Sequence, residues 1–431
     1  MQIKNHRSWL LSVAVMTSLA ITAAHPGQAV AQTPGNSAAA DPLTLSAALK
    51  RALGVSPELG VARLEWEATQ GAVMQGQARP NPEASYAVED TRQATRTTTL
   101  QLSQQIELGG KRAARINAAE RGRDIAAAEL AVREAEVRAD VTGHFFGVVA
   151  AQEGVRLAQD SVELARHASA AAAKRVQAGK VSPVEETRSR VAQANARLEL
   201  SKAQSELGVA RQRLAASWGD PEPRFSQAQG SVDDLPELIS LDALQARLAS
   251  SPNLQRAQFE IERRQALVDL ERARRMPDVT VSLGIKRDEQ FGRNQALIGV
   301  SFPIPVFDSN RGNLLEALKR QDKARDEHAA LQNRLNSEAF EARERLRSAR
   351  EQAETLNRDV LPGAQSAYDA AGKGFQLGKF NFLDVLDAQR TLFQARSQYL
   401  LALTEAHRAA ADMERLLGQP AQTAPPPDAR P

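Results

Sequence analysis

Cysteine is absent from all 431 residues. A chain without it holds no disulfide, no thiolate metal ligand and no acyl chain carried on a cysteine. Aromatic residues make up only 4%, and the alanine-rich remainder suits long helices packed closely together. After the first 31 residues no run approaches the roughly 20 apolar residues that a spanning helix needs, so a membrane could be crossed only as a β-barrel. A P-loop, a nucleophile elbow, a CxxC pair and paired histidines at ligand spacing are all missing. His6 and His25 lie near the start, and His144, His167, His328 and His407 stand singly. Isolated helix histidines are ordinarily surface or packing residues, so no metal site, no cofactor and no catalytic residue is expected.

What is present begins with an address. Lys4 and Arg7 precede an apolar stretch from Trp9 to Ala24, and Ala29 and Ala31 stand in A-x-A spacing. This reads as a secretory signal peptide over 1–31, cleaved after Ala31. Residues 1–31 contain no acid, so losing Lys4 and Arg7 lowers the formal charge from +3 to +1. The basic pI therefore carries no argument for nucleic acid.

The rest is written twice. Leu49, Leu53, Ser56, Pro57, Leu59 and Ala62 fall on Leu244, Leu248, Ser251, Pro252, Leu254 and Ala257, all 195 apart, as do Pro82 and Pro277. "QAGKV" (177–181) falls on "QLGKF" (376–380) at 199, and Gly219 and Gly418 keep that offset. Such punctuation held in register is a tandem duplication, with a few residues inserted between strands and long helices. The expected parts are a short extension (32–42), a first repeat (43–218), a polar linker (219–237), a second repeat (238–418) and a proline-rich tail (419–431), expected to be disordered.

Each repeat predicts the same series. A helix runs over 46–77 or 242–274, and two strands follow. A very long helix covers 111 to near 175 or 311 to near 373, and a return helix 183–217 or 381–417. The long helices must pack as coiled coils, for which Val184, Val191 and Leu198, and Leu386, Phe393 and Leu400, recur every seven. The strands alternate with period two. Ala84, Tyr86 and Val88 form one apolar row, and Leu100, Leu102, Ile106 and Leu108 a second. Val279, Val281, Leu283 and Ile285 form a third, and Ala296, Ile298, Val300, Phe302 and Ile304 a fourth. Each is about as long as a transmembrane β-strand, yet four strands cannot close a barrel and open edges are not tolerated in lipid. Three copies would supply twelve strands. The expected fold is mainly α with a small β part: a helical coiled-coil barrel continued into a twelve-stranded β-barrel shared by a homotrimer in outer-membrane lipid.

"QAGKVSPVEETRSRVAQANARLEL" (177–200) and "QLGKFNFLDVLDAQRTLFQARSQYLLAL" (376–403), with the duplication, resemble the TolC-like outer-membrane efflux channels over essentially the whole mature chain. "PNPEASYAVEDT" (80–91), "QIELGGKRAAR" (105–115) and "GIKRDEQFGRNQALIGVSFPIPVFDSNRGN" (284–313) are similar to the outer-membrane component of cobalt-zinc-cadmium resistance pumps. The resemblance implies a passive exit duct for divalent heavy-metal cations, located in the outer membrane; the absence of cysteine leads to the expectation that it is not lipidated. It also implies two partners, a periplasmic adaptor (membrane fusion protein) and an inner-membrane transporter of the resistance-nodulation-division class. A channel for organic drugs or for type I secretion is the alternative. A periplasmic coiled-coil adaptor should instead show one hairpin and flanking β domains.

Asp384 and Asp387 share a helix face just past the turn at Gly378, and Asp384 falls on Glu185 at the 199 offset. Acids in a first helical turn are ordinary capping and dipole chemistry. The resemblance implies something more: acidic rings at a closed periplasmic gate, built from Asp384, Asp387 and Glu185. Phe380 stands where some relatives carry a latching arginine, so Lys379 or Lys180 is the candidate latch. The turn tips, Ala178, Gly179, Lys180 and Val181 with Leu377, Gly378, Lys379, Phe380 and Asn381, are the expected adaptor contacts.

Overall fold

A computed structural model describes residues 42–418. The expected signal peptide, all of the extension but Pro42, and the tail lie outside the described residues. The helices are α1 (Leu45–Val55), α2 (Pro57–Gln77), α3 (Lys111–Gln177), α4 (Pro183–Ala216), α5 (Leu241–Ala249), α6 (Pro252–Ala273), α7 (Arg311–Thr355), α8 (Leu361–Gln376) and α9 (Phe382–Leu417). The strands are β1 (Leu43–Thr44), β2 (Glu83–Glu89), β3 (Thr97–Ile106), β4 (Ala228–Gln229), β5 (Val279–Asp288) and β6 (Arg293–Ser301). At 67 residues, α3 is about 100 Å long at about 1.5 Å per residue.

Punctuation breaks helices that the hydrophobic pattern runs together. The helix expected over 46–77 is two, α1 and α2, because Pro57 pushes Ser56 out of the helical region to ψ 125. Pro252 does the same to Ser251, at ψ 145, and divides α5 from α6. The second long helix, expected without interruption, contains one π-helical turn over Leu356–Val360. Pro362 stands two residues after that turn and has no N–H to return to residue 358, so the helix loosens there rather than ending.

β2, β3, β5 and β6 form one antiparallel sheet in that order. Its register stacks side chains in rows. Tyr86, Leu100, Ile285 and Ala296 share one row, and Ala84, Leu102, Leu283 and Ile298 the next, all on one face. The opposite face carries Glu83, Ser103, Ser282 and Gly299, then Ser85, Gln101, Gly284 and Leu297. The apolar face is exposed, with Ile298 at 80%. Two strands are shorter than their hydrophobic pattern: Leu108 lies beyond β3, and Phe302 and Ile304 beyond β6. Pro303 and Pro305 cannot donate to a ladder, which ends pairing at Ser301. At the foot of the sheet Asp278 accepts from Lys111 Nζ at 2.5 Å, the Leu108 N–H at 3.1 Å and Gln105 Nε2 at 2.8 Å. That knot ties both hairpins to the start of α3.

The helices pack in the sequence α4–α3–α9–α7 in one part and α2–α3–α6–α7 in the other. Alanine lets the axes approach closely. Ala339, Ala342, Leu346 and Ala349 of α7 meet Ala406, Ala409 and Met413 of α9 at helical spacing. The main core collects Phe145, Val141, Val148, Leu214 and Leu403. Residues 219–237, expected as a plain polar connector, are a packed strap. Phe225, Ala228 and Val232 enter that core, and β4 pairs in parallel with β1. The heptad Val184, Val191, Leu198 does not face α3. Ser189 and Ala196 do, and the heptad stripe is exposed. So are Val61, Leu64 and Met74 of α2, and Leu315 and Phe340 of α7. The unpaired flanks are thus β2, α2 and α4 on one side of the series and β6 and α7 on the other.

Phe145 is 1% exposed at the centre of this core. Phe145→Ala is expected to cost about 3–5 kcal/mol, read as a fall in the denaturant midpoint of the detergent-solubilised protein. A cost under about 1 kcal/mol would contradict the packing described.

Candidate functional site

Two helical hairpins, α3–α4 and α7/α8–α9, end in the turns that carry the sequence-derived candidates. Both turns close in the same way. Lys180 N–H bonds to the Arg175 carbonyl at 2.9 Å and Gly179 N–H to Val176 at 2.9 Å. In the second hairpin Lys379 N–H bonds to Gly374 at 2.8 Å and Gly378 N–H to Phe375 at 3.0 Å. These paired bonds are the Schellman motif, whose turning residue must be left-handed. Gly179 at φ 67 and Gly378 at φ 74 supply it without a Cβ penalty. Ala178, Lys180, Leu377, Lys379, Phe380 and Asn381 are exposed, and Val181 is half-buried.

The acids divide by what holds them. Asp384 is the third residue of α9, and its carboxylate accepts the Asn381 N–H at 3.0 Å while Asn381 accepts the Asp384 N–H at 3.0 Å. That is a reciprocal capping box. Asp387, one turn on, is exposed and has no hydrogen bond or ion pair among the described residues. Glu185 occupies the equivalent third position of α4, behind Ser182, but the box does not close there. Ser182 caps Val184 instead, and one Glu185 carboxylate oxygen is buried without a partner. The chain does not bring Glu185 beside Asp384. α4 and α9 lie on different sides of α3, so the acids hold equivalent places on separate hairpins.

Neither proposed latch forms an ion pair among the described residues. The basic group that crosses between hairpins is Arg175, which sequence reasoning missed. Its guanidinium lies 4.3 Å from the centroid of the Phe375 ring and donates to the Phe375 carbonyl at 3.1 Å. The 199 offset carries the signal that could have found it, since Arg175 falls on Gly374 and Val181 on Phe380. Where the first hairpin spends bulk on Arg175, the second has glycine, and the Phe380 ring folds back into that space. A Cβ at position 374 would overlap the ring. Phe380 thus closes its own turn, and the cross-hairpin contact comes from the other tip. Ala371, Phe375 and Val385 then form a small core with Ala168 and Ala171 of α3.

Two of the isolated histidines, His407 and His144, are structural. His407 is buried, stacked 3.7 Å on Phe146, with Nε2 3.0 Å from the Val232 carbonyl. His144 lies 3.0 Å from Ser217 Oγ. Burial lowers the pKa of both and raises that of Asp140, one turn before His144. Among the described residues no three His, Asp or Glu side chains are grouped to hold a metal ion, and no helix is long and apolar enough to cross a membrane.

Comparison with known proteins places these features. The chain matches the family described as outer membrane efflux protein over residues 48–220 and 243–419. It is 49% identical over 409 residues to the cobalt-zinc-cadmium resistance protein CzcC of Cupriavidus metallidurans, covering 93% of this chain and 98% of the relative. It is 29% identical to the nickel and cobalt resistance protein CnrC of the same organism, over 72% of this chain and 73% of the relative. Among solved structures, CusC superposes with a TM-score of 0.76 at 20% identity, covering 87% of this chain and 92% of that one. A duplicated chain that pairs a four-stranded sheet with long helical hairpins, and matches in both repeats, belongs to the outer membrane efflux protein family.

Proposed function

We propose that this protein is the outer-membrane exit duct of a tripartite pump that expels divalent heavy-metal cations. The near-full-length similarity to a cobalt-zinc-cadmium resistance protein carries this reading. The physical case for a duct is the set of open flanks. β6, with α7, ends the series on one side, and β2, with α2 and α4, ends it on the other. Joining unlike flanks head to tail generates a ring. Because β2 and β6 run in opposite directions along the sheet, their junction is a further antiparallel pair. Three copies make twelve strands, an even number within the range of transmembrane barrels. The exposed heptad of α4 becomes the helical part of the same junction.

The tips are the periplasmic gate and the adaptor contact in this reading. Asp387, free of local bonds, is the acid best placed to form a ring, while Asp384 combines that position with capping. Rings of carboxylates favour cations over anions, which suits a metal-ion duct. Arg175 takes the tying role first assigned to Lys180 or Lys379, and a contact of this kind is worth about 0.5–1 kcal/mol where exposed. Three such ties hold the end closed yet remain weak enough for an adaptor to break. Proton coupling and ion choice fall to the inner-membrane transporter.

Deletion of the gene is expected to lower tolerance to cobalt, zinc or cadmium salts and leave tolerance to organic drugs unchanged. Drug sensitivity with unchanged metal tolerance would refute the substrate class. In planar bilayers, Asp384→Ala combined with Asp387→Ala is expected to raise the small resting conductance and weaken block by divalent cations. Unchanged conductance would remove the gate assignment.

A further inference from the structure

The two repeats differ at one place that neither the duplication nor the duct explains. Within the sheet the ladder already sets the offset at 200, since Tyr86 pairs with Leu100 and its counterpart Val281 pairs with Val300. The same 200 relates the starts of the long helices, Lys111 and Arg311. β3 stays paired as far as Ile106 whereas β6 stops at Ser301, so the connection from strand to helix is five residues longer in the second repeat. Residues 107–110 make that connection in the first repeat, and residues 302–310, "FPIPVFDSN", make it in the second.

This segment is apolar and uncovered. Phe302 is 59% exposed, Ile304 74%, Val306 72% and Phe307 101%. It also continues the outer face of the sheet. Ile298 and Val300 point to that face, and Phe302 and Ile304 follow at period two with prolines between them. After Ile304 the chain bends, with Val306 N–H bonded to the Ile304 carbonyl at 2.9 Å. Its far end is fixed: Asn310 Nδ2 donates to the Glu271 carbonyl at 2.9 Å and to its carboxylate at 2.7 Å. An apolar strip clamped at both ends is displayed rather than loose.

Its height fits a need of the barrel. The apolar rows run from that of Tyr86 to that of Val279 and Ile106, four in all. Two residues of strand rise about 6.8 Å, and at a tilt of about 40° four rows cover about 15 Å of membrane height. A transmembrane barrel presents an apolar band about 25 Å tall. Continuing past Phe302 to Ile304 and the bend at Val306 supplies about the missing 10 Å, on the side where the helices begin. Exposed Arg275 and Arg311 lie at that same end, the level at which lipid phosphates sit.

We propose that residues 302–307 are a lipid anchor, seated among the acyl chains and headgroups of the leaflet facing the helices. The inference rests on the barrel placement above. It commits to lipid over a second copy because the strip extends the row of Ile298 and Val300, which faces outward from any closed ring.

A chain without cysteine allows single nitroxide labels with no background. Phe307→Cys, Ile298→Cys and Thr99→Cys would be labelled in the full-length protein, reconstituted in phosphatidylethanolamine–phosphatidylglycerol vesicles. Labels at 298 and 307 are expected to collide several-fold more often with oxygen than with a water-soluble nickel chelate, and the label on inner-face Thr99 the reverse. Nickel access at 307 with oxygen preference kept at 298 would overturn the anchor and leave the barrel standing. Screening at 307 from both reagents would assign the strip to a contact between copies and overturn the anchor equally. Nickel access at 298 as well would overturn the membrane placement, and the anchor with it.

Discussion

A β-strand in hydrocarbon must have every backbone N–H and C=O paired, because no water is there to replace a missing partner. This chain carries four strands in one sheet, and β2 and β6 each leave one edge open. Nearly everything else follows from that. The chain is incomplete alone, its unlike edges must meet those of other copies, and the helices below must place their own open flanks on the same two sides. They do so through α2 and α4 on one side and α7 on the other. The exposed apolar stripes that would be a liability on a monomer are the helical half of a junction that the strands make obligatory.

The duplication makes the two hairpins alike, and their differences make them useful. Both turns use the same glycine geometry and both return helices put an acid at the third position. One closes a capping box on Asp384 and the other leaves a Glu185 oxygen buried and unpaired. A buried carboxylate oxygen with no donor is costly, so its partner is most economically a group from another hairpin or another copy. Arg175 over Phe375 shows such a bond between hairpins of one chain. In the proposed gate, a few weak contacts of this kind are strong in sum and still open when a partner binds the tips.

How far the sequence reveals this depends on the range of the interaction. Strands, long helices and turns follow local rules: period two, proline at helix starts, glycine at left-handed positions. The start of α3 at Lys111 and of α4 at Pro183 are legible for that reason. Breaks at Ser56 and Ser251 are legible too, once proline is given precedence over hydrophobic pattern. The strap is not, since Phe225, Ala228 and Val232 show no period and are buried only because Phe145 and its neighbours wait for them. The heptad of α4 shows a seam without saying which neighbour fills it. At the tips, the acids were readable as helix-start residues, whereas Arg175 required knowing that Phe375 lies across from it.

The chain becomes a closed channel only as a ring of copies. Native mass spectrometry of the protein extracted from outer membranes counts those copies directly. Three chains per particle is the expected result, the number that supplies twelve strands. A stable monomer, or a water-soluble species recovered from the periplasm, would contradict the account at its root.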